Sequence, residues 1–111
     1  HQEHPGLVRR LRAIIAGTPP HVLAACQQGM LDRPDSLSLL PDLDVPALVL
    51  AGEEDSFVPL ATARAMAASL PRGSLAVIPG SGHTPSMEQP ETTARALLGF
   101  LRPLGMPGEL P

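Results

Sequence analysis

The chain has 111 residues, a net charge of -3, a single cysteine, and Phe57 and Phe100 as its only Phe, Tyr or Trp side chains. All eight basic residues are arginines, so it offers neither a basic face nor a stacking platform for nucleic acid, and no apolar run approaches the length of a membrane span. The length suits one small domain; lone Cys26 excludes an internal disulfide and fits a reducing compartment, and without a signal-type apolar segment the expected location is the cytoplasm.

In chain order, residues 6–16 place Leu7, Val8, Leu11, Ile14 and Ile15 at the spacing of one helix face. Arg9, Arg10 and Arg12 then form a solvated opposite face. Gly17 ends this helix, Thr18 is the expected N-cap of a second, and Pro19 its first helical residue, so that "PPHVLAACQQGML" predicts about three turns. Cys26 falls on the apolar side of that helix and reads as a core thiol. The stretch "LDRPDSLSLLPDLDVP" reads as a linker. His1 and His4 lack a nearby third ligand and are assigned to a frayed end, with no metal expected. His21 lies near the start of the second helix and is given no role.

From Val45 the pattern becomes regular: a strand at 47–51, the loop "GEEDSFVP", a helix at about 60–70, a strand at 74–78, a Gly-rich loop, and a helix from about Pro90 to Leu101. The runs "ALVL" and "LAVI" are continuously apolar, as in strands covered on both faces. Two such strands make a marginal sheet alone. Together with an opening "HQEHPGLV" that has no initiator Met, this predicts a piece of a longer chain.

A strand, a crossover helix and a second strand in one sheet imply parallel strands, with both following loops at the carboxyl edge. Asp55 lies four residues past Ala51 and His83 five past Ile78. Two similar loops thus carry an acid and an imidazole to one rim, on strands about 4.8 Å apart. An Asp that accepts from one ring nitrogen of a His leaves the other free as a base, the orienting half of a nucleophile, base and acid triad. Glu53 and Glu54 read as solvated charges, and Glu88 and Glu91 as carboxylates at a helix start beside Pro90. No Gly-x-Ser-x-Gly occurs. Ser81, between Gly80 and Gly82, belongs to a flexible turn that leads into His83 and not into a helix.

The segments "DVPALVLAGEEDSFVP" and "LAVIPGSGHTPSMEQPE" resemble, in order and spacing, the carboxyl-terminal third of α/β-hydrolase fold enzymes, over roughly residues 40–101. There a Pro-led strand ends in Gly-x-x-Asp, and a later strand ends in Gly-His followed by Glu-x-Pro. The resemblance implies an α/β fold in which residues 41–103 form a carboxyl-terminal β-α-β-α piece of a parallel sheet. Residues 1–40 would be helices from the end of a lid with their linker, and 104–111 a flexible tail. It casts Asp55 as triad acid and His83 as general base, with a serine nucleophile and oxyanion donors upstream of this chain. The implied chemistry is cofactor-free hydrolysis of a small carboxylic ester or lactone, and the first residues look similar to those of 3-oxoadipate enol-lactonase-like enzymes. This piece alone would then be inactive. Three alternatives remain open at this point: a binding module without a nucleophile, an Asp-nucleophile relative with dehalogenase or epoxide hydrolase chemistry, and a small interaction domain in which Asp55 and His83 only pair structurally.

Overall fold

In the computed structural model, residues 4–105 are described, in two compact units that divide after Ser36. The first contains helices α1 (Pro5–Gly17) and α2 (Pro20–Leu31). A proline fixes φ and lacks the N–H that a first turn would leave unpaired. Pro5 therefore opens α1, and Pro20 opens α2. His4 is the N-cap of α1, its carbonyl accepting from the Val8 N–H at 3.1 Å, and Arg9, Arg10 and Arg12 are exposed as expected. His1 lies outside the described residues.

Two expectations for this unit are corrected. Thr18 does not cap α2: its hydroxyl donates backwards to the Ile14 carbonyl at 2.8 Å, and Pro19 occupies the N-cap. A carbonyl in the last turn of α1 has no helical partner, and the nearby hydroxyl supplies it one. Cys26 is not a core thiol but exposed, because neither α1 nor α2 buries any residue. Periodicity marks an apolar face without guaranteeing that anything covers it.

The second unit opens with a 3-10 helix at Leu37–Asp42 that packs against the following helix, so part of the expected linker is an ordered element. Strand β1 (Ala47–Gly52), helix α3 (Leu60–Ser69) and strand β2 (Gly73–Ile78) follow. The strands pair parallel, in a register that sets Ala47 opposite Gly73 and Gly52 opposite Ile78. Matched ends release both chains at one rim. A single turn not anticipated from the sequence, α4 (Pro85–Glu88), precedes α5 (Pro90–Leu101) and a short 3-10 turn (Arg102–Leu104). Residues 106–111, most of the expected tail, lie outside the described residues.

Helix α3 packs on both strands and α5 on β2, with Ala51, Ala63 and Ile78 as the buried apolar core. Ile78 is 1% exposed. Full burial of a side chain this size contributes about 1.5–3 kcal/mol, and it acts at the residue from which the second loop departs. Apart from Gly52, which is also buried, the rest of both strands is half-buried or exposed, short of the expected two-face burial, because this sheet has two strands and hence two open edges. An apolar hollow of about 480 Å³, bordered by Pro46, Leu48, Ser74 and Phe100, lies near the strand starts, the end opposite the two loops.

At the carboxyl ends the loops come into backbone contact. The Glu53 N–H donates to the Ile78 carbonyl at 3.0 Å and the Glu54 N–H to the Ser81 carbonyl at 2.8 Å. A Cβ on Gly52 would lie 2.0 Å from the Gly82 carbonyl oxygen and 2.5 Å from that of Ser81. Both obstacles are backbone, so only glycine permits this approach. Gly52→Ala is expected to force the loops apart at a cost of about 1–3 kcal/mol, read as a lower urea midpoint. An unchanged midpoint would refute the close approach.

Candidate active site

Asp55 closes an Asx-type turn just past β1. One carboxylate oxygen, Oδ1, accepts from the Phe57 N–H at 2.8 Å and the Val58 N–H at 3.1 Å. This fixes the carboxylate plane and leaves Oδ2 facing the His83 Nδ1 at 2.9 Å. An ionised carboxylate only accepts, so Nδ1 carries the proton and Nε2 of the neutral ring keeps its lone pair. The Asp55 side chain is 8% exposed and that of His83 is 55% exposed. The pair is thus anchored at its acidic end and open at its basic end. Hydrogen bonding to His83 holds the Asp55 carboxyl below its ordinary value, helped by the Val58 and Phe57 N–H groups and opposed by burial.

The structure therefore brings together the two residues that the sequence places on one rim. Phe57, two residues past Asp55 and well exposed, sets its ring centroid 5.1 Å from that of His83. Ser81 is fully buried and its hydroxyl lies near the Glu88 carboxylate and the Gly82 carbonyl, each at 3.4 Å. Among the described residues no serine hydroxyl hydrogen-bonds the His83 ring.

Two carboxylates differ from expectation. Glu53 is more than a solvated charge: its Oε2 accepts from the Gly80 N–H at 3.4 Å, across to the second loop. Gly80 itself has φ +62, a left-handed conformation suited to glycine. Glu88 does not lie in the first turn of α5 but ends α4, and its carboxylate turns back to the His83 loop. It accepts from the Gly82 N–H at 3.2 Å, the Thr84 N–H at 2.9 Å and the Thr84 hydroxyl at 3.0 Å. Burial pushes this carboxyl up, and the hydrogen bonds from Thr84, Gly82 and Ser81 outweigh it and hold it below its ordinary value.

A pH dependence follows, and its sign is fixed by both shifts being downward. The stabilisation is complete above the ordinary values of 3.8 for Asp55 and 4.5 for Glu88, and is lost as pH falls through the lower folded values. Protection of the Gly82 and Thr84 amides against hydrogen exchange, corrected for intrinsic rates, is expected to stay level from about pH 7 to 5 and to drop below about pH 4. Level protection down to about pH 3 would contradict it.

A family model described as the alpha/beta hydrolase family matches residues 3–96. The chain belongs to the α/β hydrolase family. As a member it is 34% identical over 96 residues to a pimeloyl-[acyl-carrier protein] methyl ester esterase of Xanthomonas oryzae pv. oryzae, a match covering 85% of this chain and 38% of that relative. Among solved structures, a thermophilic esterase from Thermogutta terrifontis superposes with a TM-score of 0.88 at 42% identity, over 93% of this chain and 38% of that one. A serine hydrolase involved in carbazole degradation gives a TM-score of 0.61 at 29% identity, over 68% of this chain and 29% of that one. This α/β hydrolase chain thus spans well under half the length of the relatives it matches. Among its described residues no helix is long and apolar enough to cross a membrane, and no cluster of three His, Cys, Asp or Glu could hold a metal.

Proposed function

We propose that this chain supplies the acid and base of a serine hydrolase acting on a small carboxylic ester, with the nucleophile on a segment that precedes residue 1. The observation that carries the reading is the bond between Asp55 Oδ2 and His83 Nδ1 at 2.9 Å, with the histidine ring exposed at the carboxyl ends of adjacent parallel strands. In this mechanism the serine hydroxyl attacks the ester carbonyl while His83 Nε2 takes its proton. The imidazolium is stabilised by Asp55 and returns the proton to the leaving alcohol. Water, deprotonated by the same Nε2, then attacks the acyl-enzyme, and the imidazolium returns that proton to the serine oxygen as the acid leaves. The oxyanion donors belong to the same missing segment, and the steps need no cofactor. The named activities of two relatives, a methyl ester esterase and a thermophilic esterase, support an ester over other acyl substrates. A lactone presents the same carbonyl to the same nucleophile, and residues 1–40 would be the end of a helical lid with its linker.

The test is hydrolysis by the full-length gene product of a p-nitrophenyl ester, an aliphatic methyl ester and a γ-lactone, alongside a haloalkane and an epoxide. Turnover of the esters, with or without the lactone, is expected. Turnover confined to the haloalkane or epoxide would overturn the reading in favour of an Asp nucleophile, and turnover of none would leave a binding module.

A further inference from the structure

We infer that Glu88 is a positioning residue for His83: its carboxylate clamps the peptide on both sides of the histidine and so aims the ring at Asp55 and at substrate. This rests on the proposed role of His83 as base. His83 stands between Gly82 and Thr84, and the N–H groups of both neighbours donate to Glu88, at 3.2 Å and 2.9 Å. The Thr84 hydroxyl at 3.0 Å and the Ser81 hydroxyl at 3.4 Å complete the donor set. Oε2 accepts both Thr84 donors and the Gly82 N–H is shared between the two oxygens; an amide has one acceptor oxygen and would turn its NH2 against one of these donors. With the backbone held at residues 82 and 84, the ring's remaining freedom lies in its own side-chain torsions, and these are limited by Asp55 and by the Phe57 ring at 5.1 Å.

The clamp is also tied to the acid's loop. Ser81 gives its carbonyl to the Glu54 N–H at 2.8 Å, next to Asp55, so a shift of the 81–84 segment changes the distance between base and acid directly. Displacement of a catalytic group by about 1 Å costs on the order of 10²-fold in rate. Glu88 hydrogen-bonds the residues around His83 and not its ring, and acts through where it puts His83.

The experiment is Glu88→Gln in the full-length protein, read by steady-state hydrolysis of a p-nitrophenyl ester and by the low-field proton resonance of His83 Nδ1. The expected result is a fall in kcat of about 10²-fold with KM within about threefold, and a broadened or lost Nδ1 resonance in protein that is still folded. A merely structural loss would lower the folded fraction and leave the resonance of the folded molecules in place. Wild-type kcat or a wild-type Nδ1 resonance in folded Glu88→Gln would overturn the inference. Should that variant not fold, Thr84→Val, which removes only the hydroxyl donor, is read the same way: a several-fold loss of kcat with a weakened resonance supports the clamp, and no change in either overturns it. Normal hydrolysis by His83→Ala would instead sink the assignment of His83 as base, while the Nδ1 resonance still decides whether Glu88 positions the ring.

Discussion

Replacing His83 by alanine in the full-length protein is expected to lower kcat for ester hydrolysis by about 10⁶-fold, the scale on which serine hydrolases lose turnover when the base is removed. The size follows from the geometry. With Nδ1 donating to Asp55, Nε2 is the nitrogen of this exposed ring left to take a proton, beside an oriented carboxylate. Stability should fall only modestly: the ring is 55% exposed and leaves little cavity, but the hydrogen bond to Asp55 is lost. The pairing of lost turnover with protein that remains folded is the signature of the proposed role. Turnover within tenfold of wild type would exclude it.

Asp55→Asn is expected to cost about 10⁴-fold in kcat and to leave measurable residual activity. The mechanism of the loss can be read from the two carboxylate oxygens. Oδ1 accepts from two backbone N–H groups, at Phe57 and Val58, so the single oxygen of an asparagine is drawn to that side. Its NH2 then faces Nδ1, which must become the acceptor, and the ring proton moves to Nε2. A ring protonated at Nε2 cannot take the serine proton. Nitrogen-15 spectra of labelled histidine distinguish the two tautomers, so the variant should show an exchanged pattern as well as the rate loss. Wild-type turnover, or an unchanged tautomer, would refute this account.

What the sequence reveals here follows from which forces are local. The strands near 47–51 and 74–78 are legible because continuous apolar runs bounded by Pro and Gly have few other uses, and once they are parallel, chain direction alone brings Asp55 and His83 to one rim. Pro85 opens a turn that the sequence does not suggest, whereas the start of α5 is legible at Pro90. Thr18 is not, since a hydroxyl between two helices can serve either, and the free carbonyl of Ile14 decides. Cys26 is not, because helical periodicity says which face is apolar and nothing about what lies against it.

Glu88 is the instructive case. Beside Pro90 it looks like a charge at a helix start, whereas a single turn at Pro85–Glu88 reverses the chain and points its carboxylate at Gly82 and Thr84. Donors that are backbone N–H groups leave no trace in residue identity. The "Glu-x-Pro" after the histidine was the available signal. Gly52 is similar: its need for glycine comes from the carbonyls of residues 81 and 82, some 30 positions on.

The most direct test of the central claim is to label the full-length protein with a fluorophosphonate, which phosphonylates an activated serine, and to locate the adduct by mass spectrometry. The account predicts one adduct on a serine that precedes residue 1, formed rapidly in wild type, far more slowly in His83→Ala, and nowhere within residues 1–111. An adduct on Ser81 or Ser86, or labelling undiminished in His83→Ala, would contradict it.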